Sequence, residues 1–151
     1  MAKKLPVIES APGVIEAMQK AMQRTVHGSQ HNAILDTLLC TPPKEELAYI
    51  AGFFDGEGTC HLRKNKRGKY LFKTVHVSIG QTQREVLDWL VTFYSGSIYV
   101  YKKGVKHRTQ DFHQWSIVGT RAVKFLLDIY PWCVIKRYDI DRTITEKYIG
   151  V

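Results

Sequence analysis

Leu-Ala-Tyr-Ile-Ala-Gly-Phe-Phe-Asp-Gly-Glu-Gly, residues 47 to 58, is the stretch that decides the fold of this chain. Its apolar part suits a helix, and the glycines that follow are expected to stop that helix near Phe54. Two small residues, Ala51 and Gly52, lie in the middle of the apolar run, and two carboxylates, Asp55 and Glu57, lie at its end. Carboxylates have no reason to end an apolar helix unless they cap or bind something. The stretch therefore points to a helix end with a chemical role.

Length and charge set the bounds for the rest of the chain. It has 151 residues, a formal net charge of +8 and a pI of about 9.4. That length fits a domain with its own core, and the basic excess favours an anionic partner, with nucleic acid first and an acidic membrane second. No apolar run approaches the ~20 residues of a membrane span, and the first residues lack the apolar core of a signal peptide. We therefore expect no membrane association.

The three cysteines, Cys40, Cys60 and Cys133, show no paired spacing. An odd number of unpaired cysteines is typical of reduced, packed thiols in an intracellular protein. The pattern does not distinguish the cytoplasm from an organelle such as a chloroplast or mitochondrion.

Two units are predicted along the chain. Residues 1 to 43 form an N-terminal arm and helical extension, with helical apolar spacing from Gly13 to about Val26 and a shorter helix from Asn32 to Leu39. Residues 44 to 151 alternate between helical and strand periods. The predicted helices and strands, in order, are Lys44 to Phe54, Thr59 to Arg63, Phe72 to Ile79, Thr82 to Gly96, Ile98 to Lys102, Phe112 to Val118, Thr120 to Tyr130 and Tyr138 to Tyr148.

This order, α-ββ-α-ββ-α with a terminal helix, predicts an α+β fold with one antiparallel sheet and helices on one face. Thr82 and Glu85 form a capping-box pattern at the start of the second helix. The connections Lys64 to Lys69 and Lys103 to Asp111 are basic. Eleven basic residues and three acidic residues lie between Thr59 and Ile117, an excess equal to the net charge of the whole chain.

Strand alternation assigns an unusual set of side chains to the face away from the helices. They mix donors, acceptors and aromatic rings, which suits the reading of base edges in DNA. They are His61, Arg63, Phe72, Thr74, His76, Ser78, Tyr99, Tyr101, Phe112, Gln114 and Ser116.

Residues 50 to 58, together with this element order, resemble the nine-residue motif and half-domain of the single-motif LAGLIDADG homing endonucleases. The resemblance covers roughly residues 44 to 149. It implies a homodimer whose saddle-shaped sheets bind a long pseudo-palindromic double-stranded DNA site through the major groove. The dimer would hydrolyse a phosphodiester bond in each DNA strand. Mg²⁺ is the implied cofactor; Mn²⁺ is expected to substitute, and Ca²⁺ to support binding without cutting.

The resemblance also implies roles for single residues. Glu57 is the catalytic carboxylate and metal ligand, with the Gly56 carbonyl as a second ligand, since hard oxygen ligands suit Mg²⁺. Gln81 matches the polar residue that holds active-site water, and Lys136 matches the basic residue after the helix that Pro131 breaks. Some relatives carry that lysine two residues earlier, where this chain has valine, so the lysine pattern stays open.

Two larger sets follow from the same resemblance. The motif helices of a dimer need small residues where they meet, and the interface is assigned to Ala48, Ala51, Gly52 and Asp55, the last near the helix end. The implied DNA contacts are His61, Arg63, Asn65, Arg67, Phe72, Thr74, His76, Ser78, Arg84, Tyr99, Tyr101, Phe112 and Gln114.

Two other classes of protein remain open. An RNA maturase that helps an intron to fold, or a DNA-binding regulator, would use the same basic sheet. Neither class needs a carboxylate at the helix end. The presence of Glu57, Gln81 and Lys136 therefore favours the endonuclease.

Overall fold

The computed structural model describes residues 41 to 149. The predicted arm and helical extension lie, except for their last three residues, outside this part. The first half contains helix α1 (Lys44–Glu57), strands β1 (Gly58–Arg67) and β2 (Tyr70–Gln81), and helix α2 (Arg84–Tyr94). The second half contains β3 (Ser97–Tyr101), β4 (Phe112–Val118), α3 (Thr120–Ile129), a 3₁₀ turn (Tyr130–Trp132) and α4 (Arg137–Tyr148). The predicted α-ββ-α-ββ-α order with a terminal helix is confirmed, and so is the α+β class.

The four strands form one antiparallel sheet in the order β1-β2-β4-β3. The β1–β2 ribbon is longer than the sequence predicted, because pairing continues from Gly58–Ile79 to Arg67–Tyr70. Its turn has only two residues, and Gly68 supplies the positive φ of 60° that such a turn requires. The extra pairs have no apolar alternation because the end of the ribbon is exposed on both faces, so the pattern could not reveal them.

The helices cover one face of the sheet and bury the predicted inward residues. Phe125 of α3 lies at the centre, with edge-to-face contacts to Phe54, Tyr94 and Trp115 at ring distances of 5.0–5.6 Å. Such geometry adds to the free energy gained by burying the rings. The fully buried residues around them include Ile50, Val75, Val77, Ile79, Leu87, Leu90, Leu126, Ile129, Ile140 and Ile144.

The predicted end of α1 and the predicted start of α2 are also wrong. Helix α1 continues past Phe54 to Glu57, since packing of its apolar side chains outweighs the helix-breaking tendency of Gly56. The chain leaves the helix at Gly58, where a β-carbon would lie 2.0 Å from a ring carbon of Phe54. The capping box is absent: Thr82 bonds instead to the Gln81 side-chain oxygen, at 2.7 Å from its N–H and 3.1 Å from its hydroxyl.

Among residues 41–149, no helix combines the length and the apolar character needed to cross a lipid bilayer.

Candidate functional site

The last turn of α1 concentrates negative charge. It contains Asp55 and Glu57 and no basic residue. The C-terminal end of a helix already carries partial negative charge, so two carboxylates there are unfavourable unless something compensates them. The two residues differ in how this is done.

Asp55 is compensated inside the chain. The residue is 9% exposed, and its carboxylate accepts two backbone hydrogen bonds, from the N–H of Val134 at 2.7 Å and from that of Lys136 at 2.9 Å. Ala51, one turn earlier, is fully buried, and its carbonyl lies 4.0 Å from the Cys133 sulfur. The assignment of Ala51 and Asp55 to a dimer interface is therefore wrong. Their four-residue spacing turns both toward the segment that follows the 3₁₀ turn.

Glu57 is not compensated by the described part of the chain. Its side chain is exposed, and none of the hydrogen bonds or ion pairs among residues 41–149 involves it. In that range no three His, Cys, Asp or Glu side chains come close enough to hold a metal. Mg²⁺ commonly takes only one or two carboxylates, with water and phosphate oxygens filling its octahedral shell. One exposed carboxylate is compatible with that pattern, with further oxygen ligands coming from outside the chain.

Lys136 is brought to the same helix end. It precedes α4 as its N-cap residue, its side chain is half-buried, and its backbone N–H is one of the two that donate to Asp55. Val134, the alternative position for the lysine, is exposed.

Cys133, which directly follows the 3₁₀ turn, is buried. Burial raises the pKa of its thiol to about 12, and the nearby Asp55 carboxylate is the next cause of the increase. The thiol therefore stays protonated at neutral pH and packs as an apolar side chain.

Gln81 ends β2 with part of its hydrogen-bonding capacity already used. Its side-chain oxygen accepts the two bonds from Thr82, which leaves the amide N–H donors for another partner. Strand alternation places it on the helix side of the sheet, opposite His113 of β4. Sequence reasoning missed His113, whose Nδ1 lies 3.1 Å from the Thr82 carbonyl. A carbonyl only accepts, so Nδ1 is the donor in this contact; no local motif marks this residue.

The polar face of the sheet has the predicted strand phase. Its side chains form rows across the strands: Arg63 with Thr74, His61 with His76, then Thr59, Ser78, Ser116 and Ser97, then Gly80, Gln114 and Tyr99, and finally Phe112 with Tyr101. The aromatic rings of Phe72, Tyr99 and Tyr101 are 40–60% exposed. An inverted phase would have buried them.

Two members of the predicted DNA-binding set differ from expectation. Ser78 lies on the polar face but is only 7% exposed, because it sits in a central strand and shares a 2.9 Å hydrogen bond with the Thr59 hydroxyl. Arg84 lies on α2 and forms a 3.3 Å ion pair with Asp88. On the ribbon, Asn65 donates to the Thr74 hydroxyl at 3.3 Å, while Arg67 is exposed at the end.

A pair of histidines occupies the middle of this face. The rings of His61 and His76 are 4.8 Å apart, and Nε2 of His76 lies 2.9 Å from the Ser116 hydroxyl. Burial lowers the pKa of His76, and the neighbouring His61 and Arg63 lower it further. At neutral pH the ring is therefore uncharged, with one donor and one acceptor nitrogen.

A concave cavity of about 500 Å³ lies on the same face. Its walls include Arg63, His76, Tyr99 and Gln114, and also Arg121, which the sequence analysis did not select. Arg121 lies in the first turn of α3 and donates to the Ser95 hydroxyl at 3.2 Å. Alternation along strands could not reveal a helical residue that reaches the edge of the sheet.

The two basic connections lie at opposite ends of the face. The Gly68 turn closes the β1–β2 ribbon at one end, and the β3–β4 loop leaves from the row of Phe112 and Tyr101 at the other. In that loop Arg108 stacks on Tyr101 at 5.0 Å. The Lys103 N–H bonds to Asp111 at 2.8 Å, and this bond is the main reason that the pKa of Asp111 is lowered.

The chain was compared with protein families, with curated sequences and with solved structures. No protein-family model matches the chain. It is similar to the probable translation initiation factor IF-2 of Methanocaldococcus jannaschii, with 26% identity over 129 residues, and this covers 78% of the chain but 10% of that protein.

Among solved structures, the chain is similar to the homing endonuclease I-CvuI in complex with a DNA target, with a TM-score of 0.54 and 20% identity. It is also similar to the archaeal intron-encoded homing endonuclease I-Vdi141I complexed with DNA, with a TM-score of 0.51 and 18% identity. Each match covers 68% of this chain and 65% of the other. At this level of identity, the likeness shows the fold.

Proposed function

We propose that this chain, which has the fold of the LAGLIDADG homing endonucleases, is a site-specific DNA endonuclease that acts as a homodimer with a divalent metal, Mg²⁺ being the first candidate. One observation carries the proposal. Glu57 is an exposed carboxylate at a helix C-terminus with no partner among residues 41–149, while both oxygens of Asp55 in the same turn accept hydrogen bonds. A protein that only bound nucleic acid would have no use for that difference.

The electrostatics of the helix end favour a cation. Partial negative charge from α1 adds to the charge of Glu57, and a second copy would add the same again. Two such ends repel unless cations lie between them. A bound metal would polarise the phosphate and activate water. The chain would contribute Glu57 and the Gly56 carbonyl as ligands, the Gln81 amide N–H groups to orient water, and Lys136 to stabilise negative charge on the phosphate.

The exposed side of α1 suits a second copy of the chain. Ala48, Gly52 and Gly56 are spaced four residues apart and exposed, and a β-carbon on either glycine would meet nothing within 4 Å. Beside them Tyr49 is 59% exposed and stacks on Phe53. Small residues allow close helix approach, and a flanking exposed aromatic residue adds apolar area to bury.

The dimensions of the sheet suit a DNA half-site. The ten residues of β1 extend ~33 Å at about 3.3 Å per residue. One turn of B-DNA rises ~34 Å, so one chain would follow roughly one turn of the major groove. Arg63 has the geometry for a bidentate contact to guanine, and two chains would read the two halves of a pseudo-palindrome.

Selection from a randomised double-stranded DNA library tests the proposal. We expect Ca²⁺ to yield bound sequences with two-fold symmetry, and Mg²⁺ to yield cleavage of both strands of those sequences. The Glu57→Gln protein should select the same sequences without cutting them. Binding without cleavage in Mg²⁺ or Mn²⁺ would make the chain a DNA-binding regulator. Failure to select DNA, together with binding of a structured intron RNA, would make it a maturase.

A further inference from the structure

We infer that Asp55 is a positioning residue that holds Lys136 in place for cleavage. The inference rests on the proposed function, because Lys136 has a catalytic role only if the protein cuts phosphodiester bonds. It gives Asp55 a task distinct from metal binding and from dimer contact.

The first step in the argument is the way the segment after the 3₁₀ turn is anchored. Cys133 is held by its own N–H, which donates to Ile129 O at 3.1 Å, and by burial of its side chain. Packing of the next two side chains does not anchor the segment, since Val134 is 59% and Ile135 71% exposed. What fixes this part of the segment is its backbone, and both N–H groups that do so are bound by the Asp55 carboxylate. Bonds to an ionised carboxylate are stronger than neutral ones.

The second step concerns Lys136 itself. Its N–H is fixed by Asp55 at 2.9 Å, and its carbonyl accepts the Ile140 N–H at 3.0 Å as the first bond of α4. The backbone of this residue is therefore held on both sides. Lysine has a long flexible stem, so a fixed backbone determines where its ammonium group can reach.

The third step links Lys136 to Glu57. Asp55 and Glu57 are two residues apart in the last turn of α1. The backbones of Lys136 and Glu57 are thus connected through the Asp55 carboxylate and the two-residue step from Asp55 to Glu57 in α1. Errors of about 1 Å in such placements lower rates by about 10²-fold.

Asp55→Asn alters the two hydrogen bonds from Val134 and Lys136 to Asp55, which we call the Asp55 clamp, with little change in side-chain volume. The amide oxygen can still accept from one N–H, but the NH₂ group then faces the other donor, and one of the two bonds is lost. Asp55→Asn, Lys136→Ala and the double variant form a cycle, measured by single-turnover cleavage of the selected site in Mg²⁺. We expect Asp55→Asn alone to slow cleavage by about 10- to 100-fold. In the Lys136→Ala background it should add less than about threefold, with DNA affinity in Ca²⁺ unchanged.

An equal loss of rate in both backgrounds would show that Asp55 does not act through Lys136, and would overturn the inference. Amide hydrogen exchange gives a second readout that needs no activity. Exchange at Val134 and Lys136 should accelerate in Asp55→Asn while β2 and β4 stay protected; unchanged exchange would also overturn it. A wild-type protein that does not cut DNA refutes the proposed function. If amide exchange still accelerates in Asp55→Asn, Asp55 holds the segment but has no catalytic role, and the inference is also refuted.

Val134→Pro provides a test from the other side if Asp55→Asn does not fold. Proline removes one of the two N–H donors and leaves the carboxylate intact. Cys133 already has the extended backbone that a following proline needs, with φ −70° and ψ 144°. We expect a smaller loss of cleavage rate that again disappears in the Lys136→Ala background, and a persisting loss would contradict the proposed role.

Discussion

The end of α1 and the polar face of the sheet are built on different principles. At the helix end, few residues are involved: both oxygens of Asp55 accept hydrogen bonds, while Glu57 has no partner in the part of the chain that the structure describes. On the sheet face, many exposed side chains share a small number of hydrogen bonds, such as the 3.0 Å bond from the Tyr101 hydroxyl to Gln114. Single changes should therefore be decisive at the helix end and graded on the face.

The sharpest test of this contrast is Glu57→Gln. A metal at such a site contributes several kcal/mol to transition-state stabilisation, so cleavage should fall by at least about 10³-fold. DNA affinity in Ca²⁺ should be retained. Glu45→Gln, an exposed change in the first turn of the same helix, is the matched control and should leave cleavage intact. A Glu57→Gln protein that still nicks DNA would remove the helix end from the mechanism.

Gly52→Leu tests whether the exposed strip of α1 is an interface. The space around Gly52 is open, and leucine is a better helix former by about 0.8 kcal/mol, so the single chain should be as stable or more stable. A second helix could no longer approach closely, and cleavage should fall by about 10²-fold through loss of the dimer. Sedimentation in the presence of the DNA site would measure this. Thr92→Leu on α2 is the control; a Gly52→Leu dimer would contradict the interface.

Arg63→Ala and Lys64→Ala separate base reading from the general attraction of positive charge to DNA. The two neighbours point to opposite faces of β1. Loss of Arg63 should relax preference at one base position by about 1–3 kcal/mol. Loss of Lys64 should weaken all sequences alike and reduce the slope of log affinity against log salt by at most ~0.9. Cleavage profiles across single-base variants distinguish the two, and identical profiles for both proteins would refute base reading by Arg63.

The smallest expected effect is the pH dependence of His76. Its pKa is lower in the folded chain than the ordinary value of 6.5, so the unfolded chain binds the proton more readily. Stability should therefore fall as the pH drops through about 6.5, by less than about 1 kcal/mol because solvent screens the ring. Urea unfolding at pH 7.5 and 5.5 measures the change. His76→Gln should reduce it; greater stability at pH 5.5 would contradict the shift.

The parts of this molecule that were predictable depend on local periodicity. Alternation located the strands and their phase, so Val77 and His76 were assigned to the correct faces. The partner of Asp55 could not be predicted, because Val134 lies 79 residues away and contributes only a backbone N–H. The end of α1 was misjudged for a related reason: tertiary packing outweighed the local effect of Gly56. Residues 1 to 40 lie outside the described part, so their helices remain a prediction.

The row of Thr59, Ser78, Ser116 and Ser97 has a consequence for redesign. Short hydroxyl side chains cross the sheet between the outer part of the ribbon, where Asn65 pairs with Phe72, and the row of Gly80, Gln114 and Tyr99. From Phe72 to Gly80 along β2 is eight residues, roughly 26 Å, which exceeds the distance over which substitutions usually couple. Target preference could thus be reprogrammed at each end in separate libraries, and the best variants combined by simple addition of their free energies.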